Sequence, residues 1–155
     1  MSEERAEYDV VQNSTVCSFF VPGLPVAQPR QRHANIGGHV RNYIPKSDPV
    51  HTFKATVRLC CMRALPDGWN PDGPMRVVAT FIFPRPATKT KKRGNVREPK
   101  TSKPDLDNLT KSLYDAITGV AWNDDKQVYK EYIGKYIAGD GDVIGVEVAL
   151  FSGGQ

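Results

Sequence analysis

A chain of 155 residues, 39% hydrophobic and 25% charged, is long enough for one globular domain with its own core. It has no run of about 18 apolar residues, which excludes a membrane-spanning helix, and its polar, acidic start (MSEERAEYDVVQ) argues against a secretory signal. The net charge of +4 is unevenly spread: residues 85–103 carry eight Lys/Arg against one Glu, whereas residues 104–155 carry four against nine Asp/Glu.

In chain order, residues 1–13 are polar and without period, and are expected to be a disordered tail. A single domain is expected over 14–151, followed by a second disordered tail at 152–155. Thr15–Val21 is β-branched and aromatic and predicts a first strand, stopped by Pro22-Gly23. Residues 22–50 hold five prolines and the basic residues Arg30, Arg32, Arg41 and Lys46 against the single acid Asp48. Gly37-Gly38 predicts a small hairpin there, with His39–Ile44 as its second arm. Val50–Leu65 has apolar residues at helical spacing, with Ser47 or Asp48 as cap and Pro49 in the first turn. Its adjacent Cys60 and Cys61, with Cys17 the only other cysteine, make neither a disulfide framework nor a zinc spacing, so the compartment is read as reducing and cytoplasmic. Met75–Phe83 predicts a strand ended by Pro84-Arg85-Pro86. Arg85–Lys103 shows no apolar period and predicts a basic loop.

Asp105–Thr118 predicts the second helix, with Leu106, Leu109, Leu113, Ala116 and Ile117 on its core face and Gly119 after its end. Lys126–Ile137 and Asp142–Phe151 predict two further strands, joined as a hairpin by Gly139-Asp140-Gly141. The expected order is β-α-β-α-β-β: an α+β fold in which two helices pack on one face of a mixed sheet.

The acidic residues bracket that second helix. Asp105 and Asp107 open it, and Asp124-Asp125 follow it. The spacing leaves two readings of the first pair open. As N-cap and first-turn acids they gain about 1 kcal/mol from capping and a fraction of that from the helix dipole. As neighbouring carboxylates at a helix start they can hold a divalent cation. For Asp124-Asp125 the alternative is an ordinary turn pair. Lys111 sits four residues from both Asp107 and Asp115, as a surface ion-pair partner or as a cation beside a scissile phosphate. The basic tract beside this acidic segment is what a polyanion binder needs.

The run Asp105-Leu106-Asp107-Asn108-Leu109-Thr110-Lys111, then Asp115-Ala116 and Trp122-Asn123-Asp124-Asp125-Lys126-Gln127-Val128, closely resembles the RusA family of Holliday junction resolvases. Val21-Pro22-Gly23-Leu24-Pro25, Arg30-Gln31-Arg32 and Phe81-Ile82-Phe83-Pro84 extend the likeness to roughly residues 15–150. The resemblance implies a homodimeric, Mg²⁺-dependent endodeoxyribonuclease (Mn²⁺ able to substitute) that cuts four-way junctions by paired symmetric nicks in DNA recombination and repair. By position, Asp105, Asp107 and Asp125 match the family's metal-binding, catalytic carboxylates and Lys111 its catalytic lysine; Asp124 is the adjacent acid, whose part as a ligand stays open. Arg30, Arg32, Lys89, Lys91, Lys92, Arg93 and Lys103 are the expected DNA-backbone contacts, read from charge. No membrane or small-molecule partner is expected, and the setting is a bacterial or phage-infected cytoplasm, with a phage or prophage gene as the usual source. The competing reading is a non-catalytic basic DNA-binding module whose acidic patch is structural.

Overall fold

The computed structural model describes residues 14–87 and 96–153; the expected tail at 1–13 lies outside them. Period-two burial makes Thr15–Pro22 a strand (β1): Cys17 and Val21 are fully buried, while Val16 and Phe20 point to the other face and stay exposed. Arg32–Ile36 (β2) and His39–Tyr43 (β3) form the expected hairpin as a separate two-stranded sheet. Gly37 and Gly38 supply its turn with φ of 61° and 81°, the positive pair a two-residue hairpin loop requires. Pro49–Ala64 (α1) starts at Asp48, whose carboxylate accepts the Val50 amide at 2.9 Å, and buries Val50, Phe53, Val57 and Cys61. The Cys17 thiol, and then burial, push the Cys61 thiol pKa far up, so Cys61 stays protonated in the core.

Met75–Phe83 (β4) is buried almost throughout, and a strand apolar on both faces belongs in the middle of a sheet. Glu98–Pro99 (β5), Leu106–Ile117 (α2), a 3-10 turn at Asp125–Gln127, Val128–Ile137 (β6) and Gly145–Ser152 (β7) complete the chain. The five-stranded sheet has the order β1-β7-β4-β6-β5. Only β4 and β6 run parallel; the other neighbours are antiparallel. Alternate residues of β1, β4 and β7 (among them Cys17, Val77, Phe81, Val146 and Leu150) share one core with Phe53 and Val57 of α1 and Leu109, Leu113 and Ile117 of α2. Both helices therefore cover the same sheet face. The other face leaves Val16, Phe20, Val78 and Tyr132 exposed. The α+β class and the mixed sheet are as expected.

The connectivity differs in one respect. Gly139-Asp140-Gly141 does not close a hairpin, because β6 and β7 are not neighbours: β4 lies between them. Residues 138–144 instead pass the end of β4, where the Ala138 amide donates to the Phe83 carbonyl at 2.8 Å. Asp142, expected inside a strand, closes that loop by accepting the Gly139 amide at 2.7 Å. The strand begins only at Gly145, where a Cβ would stand 2.2 Å from the Val21 carbonyl oxygen.

Two smaller corrections concern ends. Residues 98–99, expected in a loop, pair with Ile137 and Tyr136 as an edge strand; two residues are too few to show a period. Ser152, assigned to the terminal tail, ends β7, is buried and donates to the Asn70 carbonyl at 2.6 Å.

Candidate active site

The amphipathic pattern of α2 turns Leu109, Leu113, Ala116 and Ile117 inward, and this leaves Asp107, Lys111 and Tyr114 on one flank at i, i+4 and i+7. The first half of the helix is held by two segments. Lys135 of β6 donates to the Ser102 and Pro104 carbonyls, both at 2.7 Å. The Asn108 carbonyl accepts the Gln28 amide at 2.9 Å, and the buried Ser112 hydroxyl donates to the Val26 carbonyl at 2.6 Å. The Lys103–Pro104 bond is cis.

Asp105 occupies the N-cap with extended dihedrals (φ −71°, ψ 142°), yet its side chain makes no capping hydrogen bond. Capping is therefore not what its carboxylate does. Asp107 Oδ1 accepts the Asn108 amide at 2.9 Å. Lys111 pairs with Asp115 at 3.7 Å, and Asp115 is shared with Lys54 of α1 at 3.6 Å.

The two acids after the helix are separated by the turn that follows them. Asp124 is its cap: its carboxylate accepts the Lys126 amide at 3.0 Å, while Gln127 Oε1 accepts the Asp124 amide at 2.9 Å, a reciprocal capping box. That amide bond holds the Asp124 carboxyl below the usual carboxylate range. The Gln127 amide group donates to the Pro71 and Gly73 carbonyls at 2.7 and 3.0 Å, tying the turn to the loop before β4. Asp125, the first residue of the turn, faces a cleft.

This cleft, about 770 Å³, lies between α2 and β6. Leu106, Asp107, Thr110, Lys111 and Tyr114 form one wall; Asp125 and then Glu131, Tyr132 and Ile133 form the other. β6 runs back along the helix, since Glu131 meets Tyr114 and Lys135 meets Pro104. That is the fold-back needed to bring the second acidic pair towards the first. It is partial. Asp107 and Tyr114 are separated by about 10 Å along the helix axis, and Asp125 and Glu131 stand at the Tyr114 end. Asp105 is not among the lining residues. Among the described residues, no three Asp, Glu, His or Cys side chains stand close enough to enclose one ion.

Two residues of the cleft were not singled out as site residues by the sequence. The Tyr114 hydroxyl donates to Glu131. Burial, then this carboxylate, push the Tyr114 pKa far above its ordinary value, so it remains a donor. Glu131 sits between Lys130 and Tyr132 in a strand, where it reads as a solvent-facing residue until the path of β6 is known.

Residues 22–150 match the family model Endodeoxyribonuclease RusA. The chain belongs to the RusA endodeoxyribonuclease family. No curated protein matches it closely enough to add to this. The RusA family acts on Holliday junction DNA, and its members are hydrolases that cut DNA, so the reading as a non-catalytic binding module is set aside. Among the charge-based DNA contacts, Arg30, Arg32 and Lys103 are exposed; Lys89, Lys91, Lys92 and Arg93 lie outside the described residues. No helix among those residues is long and apolar enough to cross a membrane.

Proposed function

We propose that this RusA-family chain resolves four-way DNA junctions by paired symmetric nicks, as a homodimer that depends on Mg²⁺, in the cytoplasm of a bacterial or phage-infected cell. The observation that carries the reading is that Asp107, Lys111 and Asp125 line one cleft of a chain matched to RusA over residues 22–150.

The donor set suits a hard cation, being all carboxylate oxygen, and Asp105 has no capping bond to compete for its carboxylate. Mg²⁺ commonly keeps several waters and takes one or two carboxylates with substrate phosphate, so three converging carboxylates are not required. Asp105 and Asp107 at the start of α2 and Asp125 at the Tyr114 end are the carboxylates that would take part, one or two of them for any one ion, and Mn²⁺ would serve in its place. When bound it supplies Lewis acidity and a water acidified towards hydroxide. Lys111, midway along the helix wall, neutralises charge that builds on the phosphoryl oxygens. Asp124 is left to the turn. Hydrolysis leaves a 5′-phosphate and a 3′-hydroxyl. A two-fold dimer offers two clefts to a nearly two-fold junction, which pairs the nicks. Arg30 and Lys103 contact backbone phosphates, as do the basic residues at 89–93, and Arg32 contacts the same DNA.

The test is cleavage of a synthetic four-way junction against linear duplex, with and without Mg²⁺, by wild type and Asp107→Asn. Wild type nicks the junction only with the metal; Asp107→Asn binds it and does not nick. Cleavage by Asp107→Asn at the wild-type rate would overturn the assignment.

A further inference from the structure

The β2–β3 ribbon has a structure that burial does not explain. Nine of its ten strand residues are exposed and Ala34 is half-buried; Ile36 and Val40 are 61% and 70% exposed. A two-stranded hairpin in water is marginal by itself. Its register sorts its side chains by chemistry. The pairs Arg32–Tyr43, Ala34–Arg41 and Ile36–His39 alternate with His33–Asn42 and Asn35–Val40, and cross-strand partners share a face. One face therefore carries Arg32, Arg41, His39 and Tyr43 together with Ala34 and Ile36. The other carries His33, Asn35, Val40 and Asn42, and there the His33 ring nitrogen and the Asn42 side-chain oxygen stand 2.6 Å apart. No acidic residue occurs from 30 to 46.

The ribbon is also rooted at the cleft. Four residues before it, Gln28 is hydrogen-bonded to Asn108 in the first turn of α2, beside Asp107. After it, the Pro45 carbonyl oxygen accepts from the His51 ring Nε2 at 3.0 Å, and Asp48 caps α1. Five residue pairs span about 17 Å, and a two-stranded ribbon fits the B-DNA major groove, about 12 Å wide. A rail for phosphates needs only cations. A face that alternates Arg with small and branched apolar side chains matches base edges, with guanidinium on guanine O6 and N7 and methyl groups on thymine.

We propose that the Arg32–Arg41 face of this ribbon enters the major groove of a duplex arm next to the cleavage point and reads guanine there. This deepens the nuclease reading and rests on it. The test is equilibrium binding of the full chain, without Mg²⁺, to two four-way junctions of one sequence, one of them carrying 7-deazaguanine, which lacks the N7 acceptor but keeps every phosphate. Wild type is expected to bind the 7-deazaguanine junction about tenfold more weakly. The double variant Arg32→Gln/Arg41→Gln is expected to bind the ordinary junction at least about tenfold more weakly and to treat the two DNAs alike. His33→Ala/Asn42→Ala, on the opposite face, should match wild type on both. Equal wild-type affinity for the two junctions overturns the proposal, as does an opposite-face variant as weak as the arginine variant. Nicking by wild type with Mg²⁺, run in parallel, separates the two readings. Nicking with equal affinities sinks the ribbon alone; 7-deazaguanine sensitivity without nicking sinks the nuclease assignment alone.

Discussion

The Tyr114 hydroxyl of α2 donates to the Glu131 carboxylate of β6 across the cleft that also holds Asp107, Lys111 and Asp125. The Tyr114 ring is fixed beneath by Trp122, edge-on with centroids 5.3 Å apart. The Trp122 indole N–H in turn donates to the Thr118 hydroxyl at 2.9 Å, at the helix end. One wall of the site is therefore joined to the other by a hydrogen bond to a charged group, seated on a buried aromatic pair.

Tyr114→Phe keeps the ring packing and deletes the donor. It should cost about 1 kcal/mol, since the exposed Glu131 regains water, and chemical denaturation measures this. The pH dependence has a definite sign. A Tyr pKa raised by folding adds stability that is fully present below the unfolded value, about 10, and is lost as pH rises through the folded value. The stability gap between wild type and Tyr114→Phe should narrow above about pH 10; a gap that widens there would contradict the assigned proton.

Lys111→Ala should separate activity from stability. Among the described residues its one ion pair is with Asp115, which keeps Lys54, and an exposed i,i+4 pair is worth about 0.3–0.5 kcal/mol. Losing a charge that acts on the transition state costs about a hundredfold to a thousandfold in kcat. Single-turnover cleavage of a four-way junction, alongside thermal unfolding, gives both numbers. A lysine with no part in the chemistry would leave the rate within a few fold of wild type.

Much of this was legible in the residues, and the failures share a cause. The Met75–Phe83 strand follows from an apolar run stopped by prolines, the core face of α2 from a period of 3.6, and the α1 cap is narrowed to Ser47 or Asp48; one segment carries each of these by itself. The neighbour of β6 does not: a short Gly-Asp-Gly connection looks the same whether it closes a hairpin or passes the end of β4. Local sequence favours the hairpin, and the burial of β4 on both faces decides against it. Asp124 and Asp125 are likewise identical in type and adjacent. Gln127 tells them apart only once its reach to Pro71 and Gly73 fixes the turn. Glu131 carries no local mark at all, because its role depends on β6 running back along α2.

Arg97 and Asp142 clamp the two loops at the far end of the sheet. The guanidinium donates to Asp142 at 2.7 and 3.2 Å and to Glu147 at 3.0 Å. The Arg97 guanidinium, and then the Gly139 amide, hold the Asp142 carboxyl below its usual range. A carboxyl pKa depressed by folding adds stability present above its unfolded value, about 3.9, and lost as pH falls through the folded one. Asp142→Asn should therefore be less stable than wild type at pH 6, with the difference shrinking as pH falls below about 4. Denaturant titrations at pH 6 and pH 3 check this, and an unchanged difference at the two would remove the clamp as its source.

Asp124 and Asp125 give the sharpest pair of variants, because the roles proposed for them predict opposite outcomes. Asp124 caps the turn that Gln127 completes. Asp124→Ala should lower the unfolding temperature by a few degrees, while Asp124→Asn, whose side-chain oxygen still accepts the Lys126 amide, should unfold like wild type and cleave like it. Asp125 lines the cleft. Asp125→Asn should unfold like wild type but lose cleavage by about a hundredfold or more, since a Lewis-acidic ion supplies several kcal/mol of transition-state stabilisation. Thermal unfolding and junction cleavage measured on all three variants form a crossed design. Cleavage lost in Asp124→Asn and kept in Asp125→Asn would exchange the two residues' roles and move the metal site out of the cleft.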